Sequence, residues 1–203
     1  MEHRYLTIER EYGAGGTAIA EKISELTGVP CFGREILDLA SEKAGVSVED
    51  IERYEESAHR SLFYSLYVMQ KAYNGDVDVL DKEGRVFVSE QLVIEQLADA
   101  NRRAVFLGHC ASQALMGRKN VTRVFIRCSD AEKKSKRIQE EYGIPPEQVE
   151  ATRKFYDKKR ANYYNINTGH TWQDPSEYDI LIDDAHISID ECAKMLSGIF
   201  QSS

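Results

Sequence analysis

The sequence predicts an α/β protein in which a parallel sheet is covered by helices on both faces. Short runs of strand length alternate with helical patterns along the whole chain, and most of these runs are apolar throughout. Strands of that composition are buried on both faces, as they are in parallel sheets. With 203 residues and neither repeats nor low-complexity tracts, the chain has the length of a single domain.

Strands are expected at five apolar runs, each bounded by a glycine, a proline or a polar turn. They are Tyr5–Ile8, Val29–Phe32, Ala104–Gly108, Val121–Ile126 and Asp179–Asp183. Helices are expected where apolar residues recur every three or four positions. They are Thr17–Thr27, Arg34–Ala44, Phe87–Asn101, Ala131–Tyr142, Pro145–Tyr164 and Ile189–Phe200.

Residues 47–85 have the least regular pattern, and we expect a helical insertion there that includes a loop. Apolar and aromatic residues such as Phe63 and Tyr67 fall within it. Three roles stay open for this insertion: a surface for a second copy of the chain, a lid over a bound molecule, or local core.

Composition and charge exclude several classes of protein. The net charge of −8 argues against general binding of nucleic acid or of anionic membranes, because both need a basic face. No apolar run approaches the roughly 18–20 residues of a membrane span. The four cysteines are widely spaced and form no CxxC pair, so we expect buried free thiols instead of a zinc site. Without a signal-peptide pattern or paired cysteines, the sequence predicts a cytoplasmic protein.

A glycine-rich loop joins the first strand to the first helix. Its residues are Gly13, Ala14, Gly15, Gly16 and Thr17. Glycines allow the backbone to approach an anion, and the amides at a helix start then bind it, so the loop is typical of a phosphate cradle. Thr17 stands where a hydroxyl meets Mg²⁺ in phosphate loops. The alternative is a tight turn that binds nothing.

The loop departs from the full phosphate-loop pattern G-x-x-x-x-G-K-[ST] at two fixed positions. Arg10 stands where the first glycine would be, and Gly16 stands where the lysine would be. That lysine normally neutralises donor phosphates during transfer. Arg10 is the nearest candidate for a substitute cation.

A basic stretch stands out late in this acidic chain. Arg153, Asp157 and Arg160 fall at i, i+4 and i+7, so they share one helix face. Asp157 would orient the two guanidiniums, which are suited to phosphate oxygens. We expect the region 145–175 to form a lid. The alternative is a solvated face with ordinary i,i+4 pairs.

Together these segments resemble the cytidylate-kinase-like branch of the phosphate-loop nucleoside monophosphate kinases. The resemblance covers roughly 1–45 and 86–200. It rests on five segments, taken in order: Thr7–Gly16, Phe32–Leu37, Val105–Ala111, Asp157–Tyr164 and Tyr178–Asp183. His109 stands where that branch has an arginine, and Gly33 where it usually has an aspartate.

The resemblance implies a three-layer α/β/α fold of the phosphate-loop nucleoside triphosphate hydrolase type, with a five-stranded parallel sheet. It implies that the glycine loop holds ATP with Mg²⁺, that Arg34 and His109 face the acceptor, and that Arg153 and Arg160 act from the lid. The hypothesis is therefore phosphoryl transfer from ATP to a nucleoside monophosphate, most simply CMP. Two alternatives stay open: a nucleotide-binding protein without catalysis, and a kinase for another small acceptor. Self-association of the chain also stays open.

Overall fold

The computed structural model describes residues 4–47 and 82–201. Within them, five strands form one sheet: β1 (Arg4–Arg10), β2 (Cys31–Phe32), β3 (Arg103–Leu107), β4 (Val121–Arg127) and β5 (Ile180–Asp183). Every neighbouring pair is parallel, and the spatial order is β2-β3-β1-β4-β5. The expected parallel sheet is confirmed. β2 is shorter than predicted because Pro30 has no N–H to donate to the ladder.

Seven α-helices lie in the described ranges: α1 (Gly16–Thr27), α2 (Arg34–Ala44), α3 (Lys82–Ala100), α4 (Ala111–Ala114), α5 (Ala131–Tyr142), α6 (Val149–Thr168) and α7 (Ile189–Gln201). Three helix boundaries differ from the predictions by more than one residue. Helix α6 begins at Val149, after a 3-10 turn over Pro146–Gln148, and not at Pro145. Residues 82–85 belong to the first turn of α3 and not to an insertion over 47–85, and the insertion's residues 48–81 lie outside the described ranges. Helix α6 continues past Tyr164 until Gly169, whose φ of 76° ends it.

The helices cover the sheet on both faces, which gives three layers. Leu6 and Ile8 of β1 pack with residues of α1 and α7 on one face. Tyr5 packs with residues of α2, α3 and α4 on the other face. Each such buried aliphatic side chain contributes roughly 1.5–3 kcal/mol to folding.

Strand β1 is the centre of the sheet and leads directly into the glycine loop. Side chains alternate between the two faces along a strand, so Glu9 and Arg10 begin on opposite faces of β1. The neighbouring strand β3 ends at the same edge of the sheet, and Gly108 follows it. In open parallel sheets this edge is where ligands bind.

The expected state of the cysteines is also confirmed. All four are free, and three of them are buried. In the part of the chain that the structure describes, no helix is long and apolar enough to cross a membrane.

Candidate active site

The glycine loop adopts a conformation that requires its glycines. Gly13 and Gly15 have φ values of 78° and 72°, a region that side chains rarely adopt. A Cβ on Gly13 would lie 2.6 Å from Ile138, and a Cβ on Gly15 would lie 2.5 Å from Ile189. Helix α1 begins at Gly16 with no acidic residue in its first turn. The amides at the start of a helix and the positive end of its dipole are suited to an anion.

Arg10 occupies the space that the missing lysine leaves. A Cβ on Gly16 would lie 2.6 Å from the Arg10 Cβ and 2.7 Å from its Cγ. A Cβ on Gly108 would lie 2.5 Å from Arg10 Nη1. The arginine side chain therefore crosses Gly16 and brings its guanidinium to Gly108, at the end of β3. The two departures from the phosphate-loop pattern thus fit each other: Gly16 has no side chain where Arg10 passes.

Helix α6 is bonded directly to the residues before the loop. Asp157 Oδ1 accepts the Tyr12 backbone N–H at 2.7 Å, and Arg160 Nη1 donates to the Arg10 carbonyl at 2.9 Å. Asp157 Oδ2 lies 3.4 Å from Arg153 Nη1, and Arg153 also bonds Glu150. Burial raises the pKa of the Asp157 carboxyl above its ordinary value. The structure therefore brings Arg10, Asp157 and Arg160 together.

Asp157 was expected to orient the guanidiniums of both Arg153 and Arg160. Its side chain accepts a hydrogen bond from Arg153, so the expectation is met for that residue. Arg160 instead donates to the main-chain carbonyl of Arg10, at the end of β1. Asp157 thus links α6 to the residues before the loop, a contact that the helical spacing did not indicate.

A stack of three tyrosines fixes α6 against the loop. The Tyr12 ring lies between Tyr142 and Tyr156, at centroid distances of 4.9 and 4.6 Å. The Arg160 guanidinium lies 5.6 Å from the Tyr12 centroid. Burial is the main cause that raises the pKa of Tyr12 to about 12. Stacking of this kind contributes about 0.5–1.5 kcal/mol per pair beyond area burial.

A cavity of about 210 Å³ opens beside these groups. Three cationic side chains line it, together with Glu9, His109 and several aromatic rings. The lining residues are Glu9, Arg10, Leu37, Gly108, His109, Cys110, Tyr156, Lys159, Arg160, Tyr163 and Tyr164. The cavity thus lies between the ends of β1 and β3 and helix α6.

His109 is held by a buried carboxylate. Its Nδ1 lies 3.1 Å from Oε1 of Glu90, a fully buried residue of α3. The other oxygen of Glu90 accepts the Tyr163 hydroxyl. His109 and Cys110 have positive φ values of 58° and 51°, which is strained backbone for residues other than glycine. Strain of this kind often accompanies functional sites.

The predicted residues Arg34 and Arg153 lie apart from the cavity, as does Asp183 at the end of β5. Arg34 is exposed at the start of α2 and does not line the cavity, and its role stays a prediction. Arg153 is bonded to its own helix by Glu150 and Asp157. Asp183, which ends β5, accepts N–H bonds from Ser129 and Ala185 and so acts as a cap.

Helix α5 supplies two basic residues that the sequence interpretation missed. Arg137 donates to the Gly13 carbonyl and to the buried Asp184, both at 2.7 Å. Lys134 lies 2.6 Å from Glu11. Their i,i+3 spacing on one helix face was the available signal, but α5 carries so many charges that the spacing did not single them out.

Comparison with known proteins agrees with this geometry. The model of the cytidylate kinase-like family matches residues 5–186. The chain belongs to the cytidylate kinase-like family. A comparison with curated proteins finds no match.

Solved structures show the same fold. An uncharacterised protein from Eubacterium ventriosum superposes with a TM-score of 0.69 at 23% identity, over 98% of this chain and 99% of that one. A shikimate kinase from Bacteroides thetaiotaomicron gives 0.51 at 14% identity, over 98% and 99%. A shikimate kinase from Acinetobacter baumannii, in complex with shikimate, gives 0.50 at 14%, over 98% and 93%.

The loop of this cytidylate kinase-like protein fits a magnesium ion that arrives with a nucleotide. Mg²⁺ takes oxygen ligands, and in kinases one or two protein groups and the substrate phosphates hold it. Thr17 carries a half-buried hydroxyl in the first turn of α1. Within residues 4–47 and 82–201, no group of three or more His, Cys, Asp or Glu could hold a metal ion.

Proposed function

We propose that this protein is an ATP- and Mg²⁺-dependent phosphotransferase for a small acceptor. The convergence of Arg10 and Arg160 beside the glycine loop carries the proposal. Their guanidiniums come from β1 and α6, and both line the cavity at the point where the loop begins. Phosphoryl transfer needs positioning and charge neutralisation more than covalent chemistry. Two cations next to the glycine loop supply the charge neutralisation that the reaction requires.

The residues have distinct parts in this proposal. The amides of Gly13, Gly15, Gly16 and Thr17 bind the donor phosphates, whereas the Ala14 N–H donates to the Glu11 carbonyl at 3.2 Å and shapes the loop. Arg10 takes the place of the phosphate-loop lysine, since its side chain crosses the alanine-sized space above Gly16. Arg160 neutralises the moving phosphoryl group, and Asp157 holds the lid helix on the loop. When bound, Mg²⁺ supplies further charge neutralisation between the donor phosphates, with the Thr17 hydroxyl as its protein ligand.

The resemblance makes CMP the first nucleotide acceptor to test. The protein would be incubated with ATP and Mg²⁺ and with CMP, dCMP, UMP, AMP, GMP or no acceptor, and products would be identified by mass spectrometry. A diphosphate names both the reaction and the acceptor. ATP binding without any transferred phosphoryl group, to water or to an acceptor, would favour a nucleotide-binding protein without catalysis.

Replacement of Arg160 tests the lid cation. We expect Arg160→Ala to lower kcat by roughly 10²-fold or more, because one charge that stabilises the transition state is lost. The affinity for ATP should change far less. Arg102→Ala is the matched control, since Arg102 is exposed and does not line the cavity. If Arg160→Ala changed only nucleotide affinity, Arg160 would have no part in transfer.

A further inference from the structure

Glu90 of α3 is a buried acid to which the proposed function gives no part. Its side chain has no exposed surface. Oε1 lies 3.1 Å from Nδ1 of His109, and Oε2 accepts the hydroxyl of Tyr163. Both partners line the cavity, His109 from the turn after β3 and Tyr163 from α6. One carboxylate therefore holds two walls of the cavity.

His109 is the basic side chain that pairs with Glu90 among residues 4–47 and 82–201. A carboxylate removed from water is costly unless a counter-charge and hydrogen bonds compensate it. A carboxylate in contact with an imidazole in turn favours the protonated ring. In that form Nδ1–H donates to Glu90, and the positive charge is spread over a ring that forms part of the cavity wall.

The other groups that line the cavity act on this ring with less force. Glu9 favours a proton on the ring, and three cationic side chains disfavour it. The cations are partly exposed, so water screens their charge, whereas Glu90 contacts the ring and is fully buried. Among the described residues, the charged groups are Glu9 and Arg10 of β1 and Lys159 and Arg160 of α6, and the remaining titratable groups, Cys110 and the tyrosines of α6, are of types that are neutral near pH 7.

We infer that Glu90 keeps His109 positively charged and that the charged ring binds an anionic group of the acceptor. This inference rests on the proposed phosphotransferase function, in which the glycine loop holds the donor. Residues 13–17 do not line the cavity, so the cavity is available to the acceptor. Lys159 adds a further positive charge to it. Glu90 is thus a positioning residue, because it acts on the acceptor through His109.

This arrangement behaves differently from an arginine at position 109. An arginine keeps its charge throughout the physiological pH range, whereas an imidazole loses its charge as pH rises. Affinity for the anionic group should therefore fall as His109 loses its proton, and Glu90 sets the pH at which this happens.

Nuclear magnetic resonance of the whole chain tests the charge on His109 without any substrate. The imidazole C–H signals would be followed with pH, the His109 signal being assigned by its loss in His109→Arg, with exposed His186 as the internal reference. We expect His109 to keep its proton to a higher pH than His186. Glu90→Gln should lower that pH by roughly one unit or more. Glu95→Gln, at an exposed acid of the same helix, is the matched control and should leave it unchanged.

Sulfate tests the anion site, because its charge is constant over the range in which histidine titrates. With Mg²⁺ and a non-hydrolysable ATP analogue bound, its Kd would be measured from about pH 6 to about pH 9 by the amide signals of residues 109–111. We expect the wild-type affinity to fall by up to about tenfold per pH unit above the His109 midpoint, as for one linked proton. His109→Arg should bind sulfate without that fall.

The outcomes separate this inference from the proposed function. A His109 ring that loses its proton at a lower pH than His186 overturns the inference, and so does an unchanged titration in folded Glu90→Gln. Wild-type protein that binds no sulfate, or binds it equally at every pH, overturns the anion site. If the ATP analogue itself does not bind, the proposed function falls and the anion site with it, while the His109 titration still decides the ion pair. Thermal unfolding verifies each variant, and if Glu90→Gln does not fold, the wild-type comparison of His109 with His186 decides.

Discussion

The side chain of Arg10 and the absence of a side chain at Gly16 form one coupled feature, and substitution can measure the coupling. A Cβ at position 16 would meet the Arg10 Cβ at 2.6 Å and its Cγ at 2.7 Å. Those atoms are close to the backbone and cannot swing away as the tip of an arginine can. Overpacking of this kind costs about 1–3 kcal/mol. We therefore expect Gly16→Ala to lower the free energy of unfolding by that amount.

The same substitution should behave differently when Arg10 is absent. In an Arg10→Gly background nothing remains at 2.6 Å, and alanine is the better helix former at the start of α1. Gly16→Ala should then be neutral or stabilising by up to about 1 kcal/mol. The coupling between the two positions is the difference between these effects, about 1–4 kcal/mol, which is large for residues in contact.

Urea unfolding of the wild type, both single variants and the double variant measures this coupling. Gly117→Ala is the control, because a Cβ there meets nothing within 4 Å. If Gly16→Ala cost the same in both backgrounds, the Arg10 side chain would not cross Gly16, and the argument that it replaces the lysine would fail. If the coupling is observed, a lysine at position 16 should be tolerated in Arg10→Gly/Gly16→Lys but not in Gly16→Lys alone.

Two further predictions concern the groups around the loop. The pKa of Tyr12 is raised from 10 to about 12 in the folded protein, so the folded state keeps a proton that the unfolded chain loses in this interval. The contribution of neutral Tyr12 to the free energy of unfolding is complete below pH 10 and is lost as pH rises towards 12. Urea unfolding at several pH values measures this loss. A Tyr12→Phe variant that lost stability as steeply as the wild type over this interval would refute the assignment to Tyr12. Arg137→Ala should cost up to about 3–5 kcal/mol in urea unfolding, because it removes the nearer of the two cations beside the buried Asp184 carboxylate, at 2.7 Å, and leaves Lys133 at 4.0 Å. Asp184→Asn in the same chain should recover part of that loss, and no recovery would contradict the pairing.

Much of the fold follows from local patterns in the sequence. The five strands and the helices between them could be predicted because apolar runs and helical spacing report burial, which is a property of each segment. The loop at Gly13–Thr17 could be predicted because only glycine accepts its backbone conformation. The start of α3 at Lys82 was missed, since Gly84 weakens the helical pattern in its first turn.

The site itself depends on contacts that no local pattern reports. Asp157 reaches Tyr12 across 145 positions of sequence, and Trp172 reaches Glu9 across 163. The helical spacing could place Arg153, Asp157 and Arg160 on one face, but not decide which of them meets the loop.

The sequence by itself determined the three-layer fold, the glycine loop and the family, because these depend on residue type and spacing along the chain. Only the tertiary structure decided that Arg10 crosses Gly16, that Glu90 holds His109, and that Glu9 faces the cavity. The physical reason is that side-chain direction and burial at these positions are set by packing between β1, β3, α3 and α6, which are distant in sequence.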